Sequence, residues 1–267
     1  LAHFINVLNN TDMWDIPCEL DKVLNVDNML RAMAFDVLSG NWDGPHYNKN
    51  NFYLYSNPQS GKFEYIPYDL DNTLGIDWLN KDWGTRNIYN WAQTGESRPL
   101  FNKILSNPEL RNRFSYYMDQ FITEYFNEES LFPYIDDIRS MITQGIINDP
   151  FRPLDYDFSF QDFLNSYNLA LDNYHVRYGL KPYISTRINT AQEQLQLGNI
   201  KPIIRNIEIS RKNEALVIYA DVEDDEGIEF VECCFRQDES ANFTCFEMND
   251  LGNFPDEIAG DGNFSGA

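Results

Sequence analysis

Positive charge is what this sequence has least of. Its 267 residues carry 20 Lys and Arg against 42 Asp and Glu, a formal net charge of −22. A nucleic-acid backbone or an anionic membrane surface needs clustered Lys and Arg, so both are excluded as principal partners. Histidine is scarce as well: His3, His46 and His175 lie far apart, with no pair at metal-ligand spacing. The four cysteines, Cys18, Cys233, Cys234 and Cys245, match no zinc pattern. Cys245 is one hairpin away from the Cys233–Cys234 pair. A disulfide to either of the two fits an oxidising compartment, and burial as small apolar side chains is the other reading. No apolar run approaches the roughly 18–20 residues that a membrane-spanning helix needs. No basic segment leads into an apolar stretch as in a secretory leader. The chain opens on Leu1 inside a helical pattern and ends in Gly-Asn-Phe-Ser-Gly-Ala, so it reads as cut from a longer protein at both ends.

What is present is core-forming material, 43% hydrophobic and 15% aromatic, enough for one large domain or two unequal ones. Residues 1–40 read as helical. In Val26–Gly40, Met29, Leu30, Met33, Ala34, Val37 and Leu38 share one helix face, with Asp27 suited to cap the start and Gly40 the end. Asn51–Tyr55 and Phe63–Tyr68 read as aromatic-rich strands. The turn residues Asn57-Pro58-Gln59-Ser60-Gly61 between them predict a hairpin with Asp69 at its far end. Residues 76–97 read as a long ordered loop. Helices follow at Leu100–Leu105, at Pro108–Asn127 with Pro108 in an early position, and at about 129–145, 159–174 and 180–197, the last closed by Gly198. Beyond Ile200 the pattern turns to strands: Ile203–Ile209, Ala215–Val222, Phe230–Phe235 and Phe243–Glu247. Their spacing suggests a partial sandwich of the immunoglobulin type. The expected fold class is therefore α+β, with a mostly helical domain over 1–198 and a β-rich module over 199–267.

The residues with chemistry in them cluster in Asn41–Gly75. In Tyr68-Asp69-Leu70-Asp71-Asn72-Thr73, two alternating carboxylates directly after a strand suit a hard cation, and magnesium is often shared between such carboxylates and a phosphate. Alone, Asp-x-Asp is a common surface pattern. Upstream, the polar loop Asn41–Asn51 carries Asp43, Asn48 and Asn51. Phosphoryl transfer needs one carboxylate to accept or orient a hydroxyl proton and a separate amide–carboxylate pair to hold magnesium against phosphates. A loop and the far end of a hairpin can bring these groups together. A rival pattern is the first motif of haloacid-dehalogenase-type phosphatases, which Asp69-Leu70-Asp71-Asn72-Thr73 also matches. That fold requires strand–helix alternation around the motif, whereas here a hairpin precedes it and helices follow.

Three ordered blocks, Gly40-Asn41-Trp42-Asp43-Gly44, Asn51-Phe52-Tyr53-Leu54-Tyr55 and Gly61-Lys62-Phe63-Glu64-Tyr65-Ile66-Pro67-Tyr68-Asp69-Leu70-Asp71, resemble the CotH kinase family of atypical, spore-coat-type kinases. Arg98-Pro99-Leu100 continues the likeness, which covers residues 20–195. The Ala259-Gly260-Asp261-Gly262 stretch is similar to the end of the β-sandwich modules that follow such domains. The resemblance implies a kinase-like C-lobe that transfers phosphate from ATP, with Mg2+ or Mn2+, to Ser or Thr of secreted, cell-surface or coat proteins outside the cytoplasm. By it, Asp43 is the catalytic Asp, Asn51 and Asp69 hold the metal, and Asp71 supports them. Asn48, at the spacing of ordinary kinases from Asp43, is the second choice to Asn51 for nucleotide and metal. Such kinases grip the phosphates with a Lys on a strand-rich N-terminal lobe, and nothing before Asp43 reads as one. Lys49 and Lys62 read as solvated hairpin lysines. If no such lobe exists, the alternative is a non-catalytic pseudokinase or scaffold at a surface.

The remaining groups carry less. His46 sits in the candidate loop within reach of a substrate or is incidental there; His3 and His175 read as structural. Trp78, Trp83 and Trp91 read as core or loop anchors before they read as a binding face. Asp136-Asp137 reads as a helix face, and Glu223-Asp224-Asp225-Glu226 as a turn between strands. Substrate identity and oligomeric state are not legible.

Overall fold

The computed structural model describes residues 1–154, 157–171, 175–212 and 215–267. Backbone contacts divide the chain into two compact units, Leu1–Gly198 and Asn199–Ala267. The class is α+β, with helices in the first unit and strands in small sheets.

The first unit opens with α1 (Ala2–Asn10), α2 (Ile16–Asp21) and α3 (Val26–Ser39). The α3 face expected from spacing is fully buried: Met29, Leu30, Met33, Ala34, Val37 and Leu38 are all 0% exposed. The cap is not Asp27 but Asn25, whose side chain accepts from the Asn28 amide at 3.1 Å. Asp27 instead meets Arg113 and the Tyr117 hydroxyl. A helix end leaves its last carbonyls without intrahelical partners. Here each one in the last turn of α3 is met. Asp36 O accepts from Asn41 N (2.8 Å), Val37 O from Arg187 Nε (3.0 Å), Leu38 O from the Tyr183 hydroxyl (3.3 Å) and Ser39 O from Leu74 N (2.7 Å). The chain leaves α3 through Gly40 in a left-handed conformation (φ 78°), and a Cβ there would collide with the Tyr183 hydroxyl. Gly40→Ala is expected to cost about 2 kcal/mol, from left-handed strain plus the collision. Thermal unfolding of the protein checks this; an unchanged midpoint would contradict it.

β1 (Phe52–Ser56) and β2 (Phe63–Pro67) pair antiparallel, Phe52 opposite Pro67 and Ser56 opposite Phe63. Asn57 Oδ1 accepts from Gln59 N in the turn, and Gly61 takes a positive φ of 71°. The hairpin is fastened to the helices through Phe63 N to Val23 O (2.8 Å), Asn25 N to Phe63 O (2.8 Å) and Asn28 Nδ2 to Tyr65 O (2.9 Å). The ordered loop that follows is packed by Trp83 and Trp91, both buried. A π-helical turn at Pro99–Lys103 leads into α4 (Ile104–Ser106). Then come α5 (Pro108–Gln120), a π-turn (Phe121–Tyr125), α6 (Glu128–Asn148), α7 (Phe160–Asn165) and α8 (Leu180–Gln194). Pro108 sits just inside α5 behind the Asn107 cap, as the sequence indicates. The expected helix over 159–174 stops at Asn165; residues 172–174 of that expectation lie outside the described residues.

In the second unit, β3 (Ile203–Lys212), β4 (Ala215–Glu223) and β7 (Asn263–Gly266) form one sheet in the order β3-β4-β7. β5 (Val231–Phe235) and β6 (Thr244–Met248) form a second. Ala220, Val222 and Met248 make the core, with Ile218, Phe246, Phe264 and Cys233 packed on it. Successive strand residues face opposite ways. Cys233 therefore turns toward the core, and Cys234 meets its cross-strand partner Cys245 in the disulfide. Cys18 and Cys233 are free thiols. Ile209 and Leu216 lie on the same face as Ile218 yet are 65% and 61% exposed, so the three-stranded sheet is covered over part of its width.

Candidate active site at the open end of the hairpin

The loop from Gly40 to Asn51 is held to the rest of the unit at Asn41, Trp42, Tyr47 and Lys49. Trp91 Nε1 donates to Asn41 O (3.2 Å), and Trp42 Nε1 donates to Ile76 O (2.9 Å) while its ring stacks on Trp83. Arg98, 5% exposed, donates from Nε to Tyr47 O at 2.9 Å and again from Nη2. Its Nη1 reaches Glu96 at 3.0 Å, where Lys49 also lands at 2.7 Å. The Lys49 ammonium first, then Arg98, hold Glu96 below the ordinary carboxylate range.

On this platform Asp43 is half-buried between two amides. Asn48 Nδ2 donates to its Oδ1 at 2.5 Å and Asn51 Nδ2 to its Oδ2 at 2.8 Å. Asn51 O accepts from Tyr68 N (3.2 Å), which puts Asn51 and Asp69 together at the open end of the hairpin. Asn72 Nδ2 bridges Asp71 Oδ1 (2.9 Å) and Asp43 Oδ2 (3.4 Å), linking the loop to the second acidic motif. Asp69 and Asp71 are exposed, and among the described residues the Asp69 carboxylate makes no hydrogen bond or ion pair. Lys49, Asn51, Asp69 and Leu74 all take positive φ, 62°, 52°, 52° and 52°. Left-handed backbone costs about 1 kcal/mol or more for each such residue. Its concentration here, in residues held on both sides by the fold, marks a constrained site.

The donor set is all oxygen: three carboxylates and the amide oxygens of Asn48 and Asn51. Because both Asn side chains give their NH2 to Asp43, their Oδ1 atoms point away from it, available as acceptors. This chemistry fits magnesium or manganese. The carboxylates are not gathered into a preformed triad. Among the described residues, the acidic or thiol groups that lie within 4.8 Å of one another in threes are elsewhere, Asp250/Asp256/Asp261 and Glu232/Cys234/Cys245, and the latter cysteines are in the disulfide. Lys49 is paired with Glu96 and stays exposed, while Lys62 is paired with Asp21 (3.0 Å) and is half-buried. A separate cavity of about 520 Å3 is lined by Asp77, Trp78, Asn80, His175, Val176 and Arg177, and by none of the acidic-hairpin residues. Its Asp77 is taken up by Leu79 N, Lys81 N and Trp83 Nε1, and Trp78 stacks on His175 at 4.2 Å.

Sequence reasoning gave Asp36, Arg98 and Asn72 no role of their own in the site, and it left His46 open between a substrate contact and an incidental loop residue. His46 is 0% exposed, so it faces the interior and not a substrate. Asp36 (1% exposed), Arg98 and Asn72 act on the loop or its neighbours, and Trp91 is the buried loop anchor that the sequence indicates. Asp36 interrupts an apolar helix face, the one signal that could have singled it out. Arg98 was visible only as part of a family-like block.

A helix-supported loop and hairpin thus bring Asp43, Asn51 and Asp69 to one end of the first unit. The family described as CotH kinase protein matches residues 1–197, and the chain belongs to that family. It is 27% identical over 157 residues to the inner spore coat protein H of Bacillus subtilis (strain 168), covering 59% of this chain and 41% of that protein. It is 29% identical over 122 residues to spore coat protein homolog 1 of Rhizopus delemar, covering 43% of this chain and 19% of the relative. The similarity to invasin CotH7 of the same fungus is 25% over 118 residues, 43% and 20% of the two chains. The chain thus spans less than half the length of these relatives. Among the described residues, no helix is long and apolar enough to cross a membrane.

Proposed function

We propose that the first unit is the C-lobe of an atypical protein kinase that transfers phosphate from ATP to Ser or Thr of coat, surface or secreted proteins. The observation that carries this reading is Asp43 held between the amides of Asn48 and Asn51 at the mouth of a hairpin ending in Asp69. Asp43 accepts the proton of the attacking hydroxyl, and the two amides keep its carboxylate oriented toward that hydroxyl. Asn51 and Asp69, with Asp71 beside them and Asn48 as a further acceptor, hold the divalent cation. When bound, that cation neutralises phosphate charge. The relatives named as spore coat proteins support a coat or surface location. The second unit, in this reading, is a partial immunoglobulin-like module.

The test is Mg–ATP-dependent phosphate transfer by the full-length protein to a Ser/Thr peptide or coat-protein extract. Asp69→Asn is expected to weaken Mn2+ binding by about 10- to 100-fold, measured directly by calorimetry. Unchanged Mn2+ affinity would remove Asp69 from the metal site. A second reading has its own support: one relative is named an invasin. In that reading the lobe is a non-catalytic surface or scaffold module. Full-length protein that binds no nucleotide would favour it.

A further inference from the structure

Asp36 lies in the core face of α3 and is 1% exposed, yet it carries a carboxylate. We infer that Asp36 is a positioning residue that sets the Asp43 loop and the hairpin in a single relative arrangement. Its kinetic consequence rests on the phosphoryl-transfer reading; its structural consequence does not.

The side-chain partners of Asp36 come from both arms of the site. Oδ1 accepts from Asn41 Nδ2 at 3.0 Å. Oδ2 accepts from the Tyr65 hydroxyl at 3.3 Å and stands 3.3 Å from His46 Nε2, a close polar contact without hydrogen-bond alignment. Asn41 and His46 flank Asp43 on the loop, and Tyr65 lies on β2, four residues before Asp69. The Asp36 backbone carbonyl also takes Asn41 N at 2.8 Å. Burial first, then the Asp36 charge, push the Tyr65 hydroxyl far above the ordinary phenol range.

Two features separate this from ordinary core packing. A buried carboxylate is expensive unless paired, and an apolar side chain would fill the space without that cost. Second, the loop side chains have nowhere else to turn. Among the described residues, Asn41 Oδ1 and both His46 ring nitrogens are buried without a hydrogen-bond partner, and the carboxylate of Asp36 takes the Asn41 amide and lies against the His46 ring. An apolar residue would leave the His46 ring, packed between Tyr65 and Phe101, with no polar group to fix its orientation. The carboxylate selects one placement of His46 and Asn41, hence one path for Asp43 between them, and ties the same point to the hairpin through Tyr65.

The experiment is segment-resolved hydrogen exchange on the full-length protein, with phosphate transfer measured in parallel. Asp36→Asn is expected to speed exchange at least about tenfold in residues 41–51 and 63–69, leaving α5 and α8 unchanged. It should lower kcat by about 10- to 100-fold, the usual size for a supporting residue, at near-constant KM for ATP. Should Asp36→Asn not fold, two milder variants decide. His46→Gln should loosen 41–51 alone, and Tyr65→Phe should loosen 63–69 alone. Exchange that stays at the parent rate in both segments, or rises equally in α5 and α8, overturns the inference. If no variant, the parent included, transfers phosphate, the kinase reading fails while the exchange pattern still judges Asp36.

Discussion

Asp43→Asn is expected to lower kcat for phosphate transfer by about 10^2- to 10^4-fold, the usual contribution of a positioned general base. The substitution keeps the shape and removes the proton acceptor. It also turns one face of the side chain into a donor, opposite the Asn48 or Asn51 amide that now donates to Asp43. The loop therefore loses one of its two amide contacts, while its anchors through Arg98, Trp91 and Trp42 remain. Because Asp43 is half-buried and its partners lie at the surface or half-buried, thermal stability should fall by about 1 kcal/mol or less. Full-length protein assayed for transfer and for Mg–ATP binding separates the effects: binding retained, turnover lost. Turnover at the parental rate would refute the role.

The largest stability effect is expected at Arg187. This side chain is 0% exposed in the core, between α8 and the end of α3. Its Nε donates to Val37 O at 3.0 Å and its Nη1 to Arg86 O at 2.6 Å, and its guanidinium lies 5.1 Å from the centre of the Trp91 ring. Burial lowers its pKa to about 10, which leaves it charged at neutral pH. It sits where the α3 dipole concentrates negative charge. Arg187→Leu preserves bulk but strands the buried Val37 carbonyl and the part-buried Arg86 carbonyl, at a cost of about 3–5 kcal/mol. In a unit of this size that shifts the melting midpoint by roughly 10 °C. Arg187→Lys should recover part of the loss, since an ammonium can reach one carbonyl but cannot span both. If Leu and Lys variants melt together at the parental midpoint, the capping role is wrong.

Both effects concern the same place, the end of α3, where helix, loop and hairpin meet. Periodicity located α3 and its buried face correctly, because a helix face reports its own burial through the spacing of apolar residues. Gly40 could be read as its end because only glycine enters the left-handed region cheaply. The Asn57–Gly61 turn revealed the hairpin for a similar local reason. Asp27 was misread as a cap because its contacts, Arg113 and Tyr117, lie on α5, far along the chain. The helix expected over 159–174 is interrupted after Asn165, although its apolar pattern runs on. Pattern alone does not register where tertiary contacts stop a helix.

The sequence by itself determined the class, the helix–hairpin–helix order, the acidic character, the CotH likeness and the identity of Asp43, Asn48, Asn51, Asp69 and Asp71 as the group to examine. Those depend on local propensity, net charge and short ordered blocks, all of which a linear reading contains. Tertiary structure alone decided which of these touch: Asp43 with both amides, Asn72 bridging to Asp71, Asp69 left open, and His46 turned inward onto Asp36. It also decided which of the two neighbouring cysteines pairs with Cys245. Some of these partners are a few residues apart and one is 29 apart, and in each case the path of the backbone in space, not the spacing, decides which side chains come within reach.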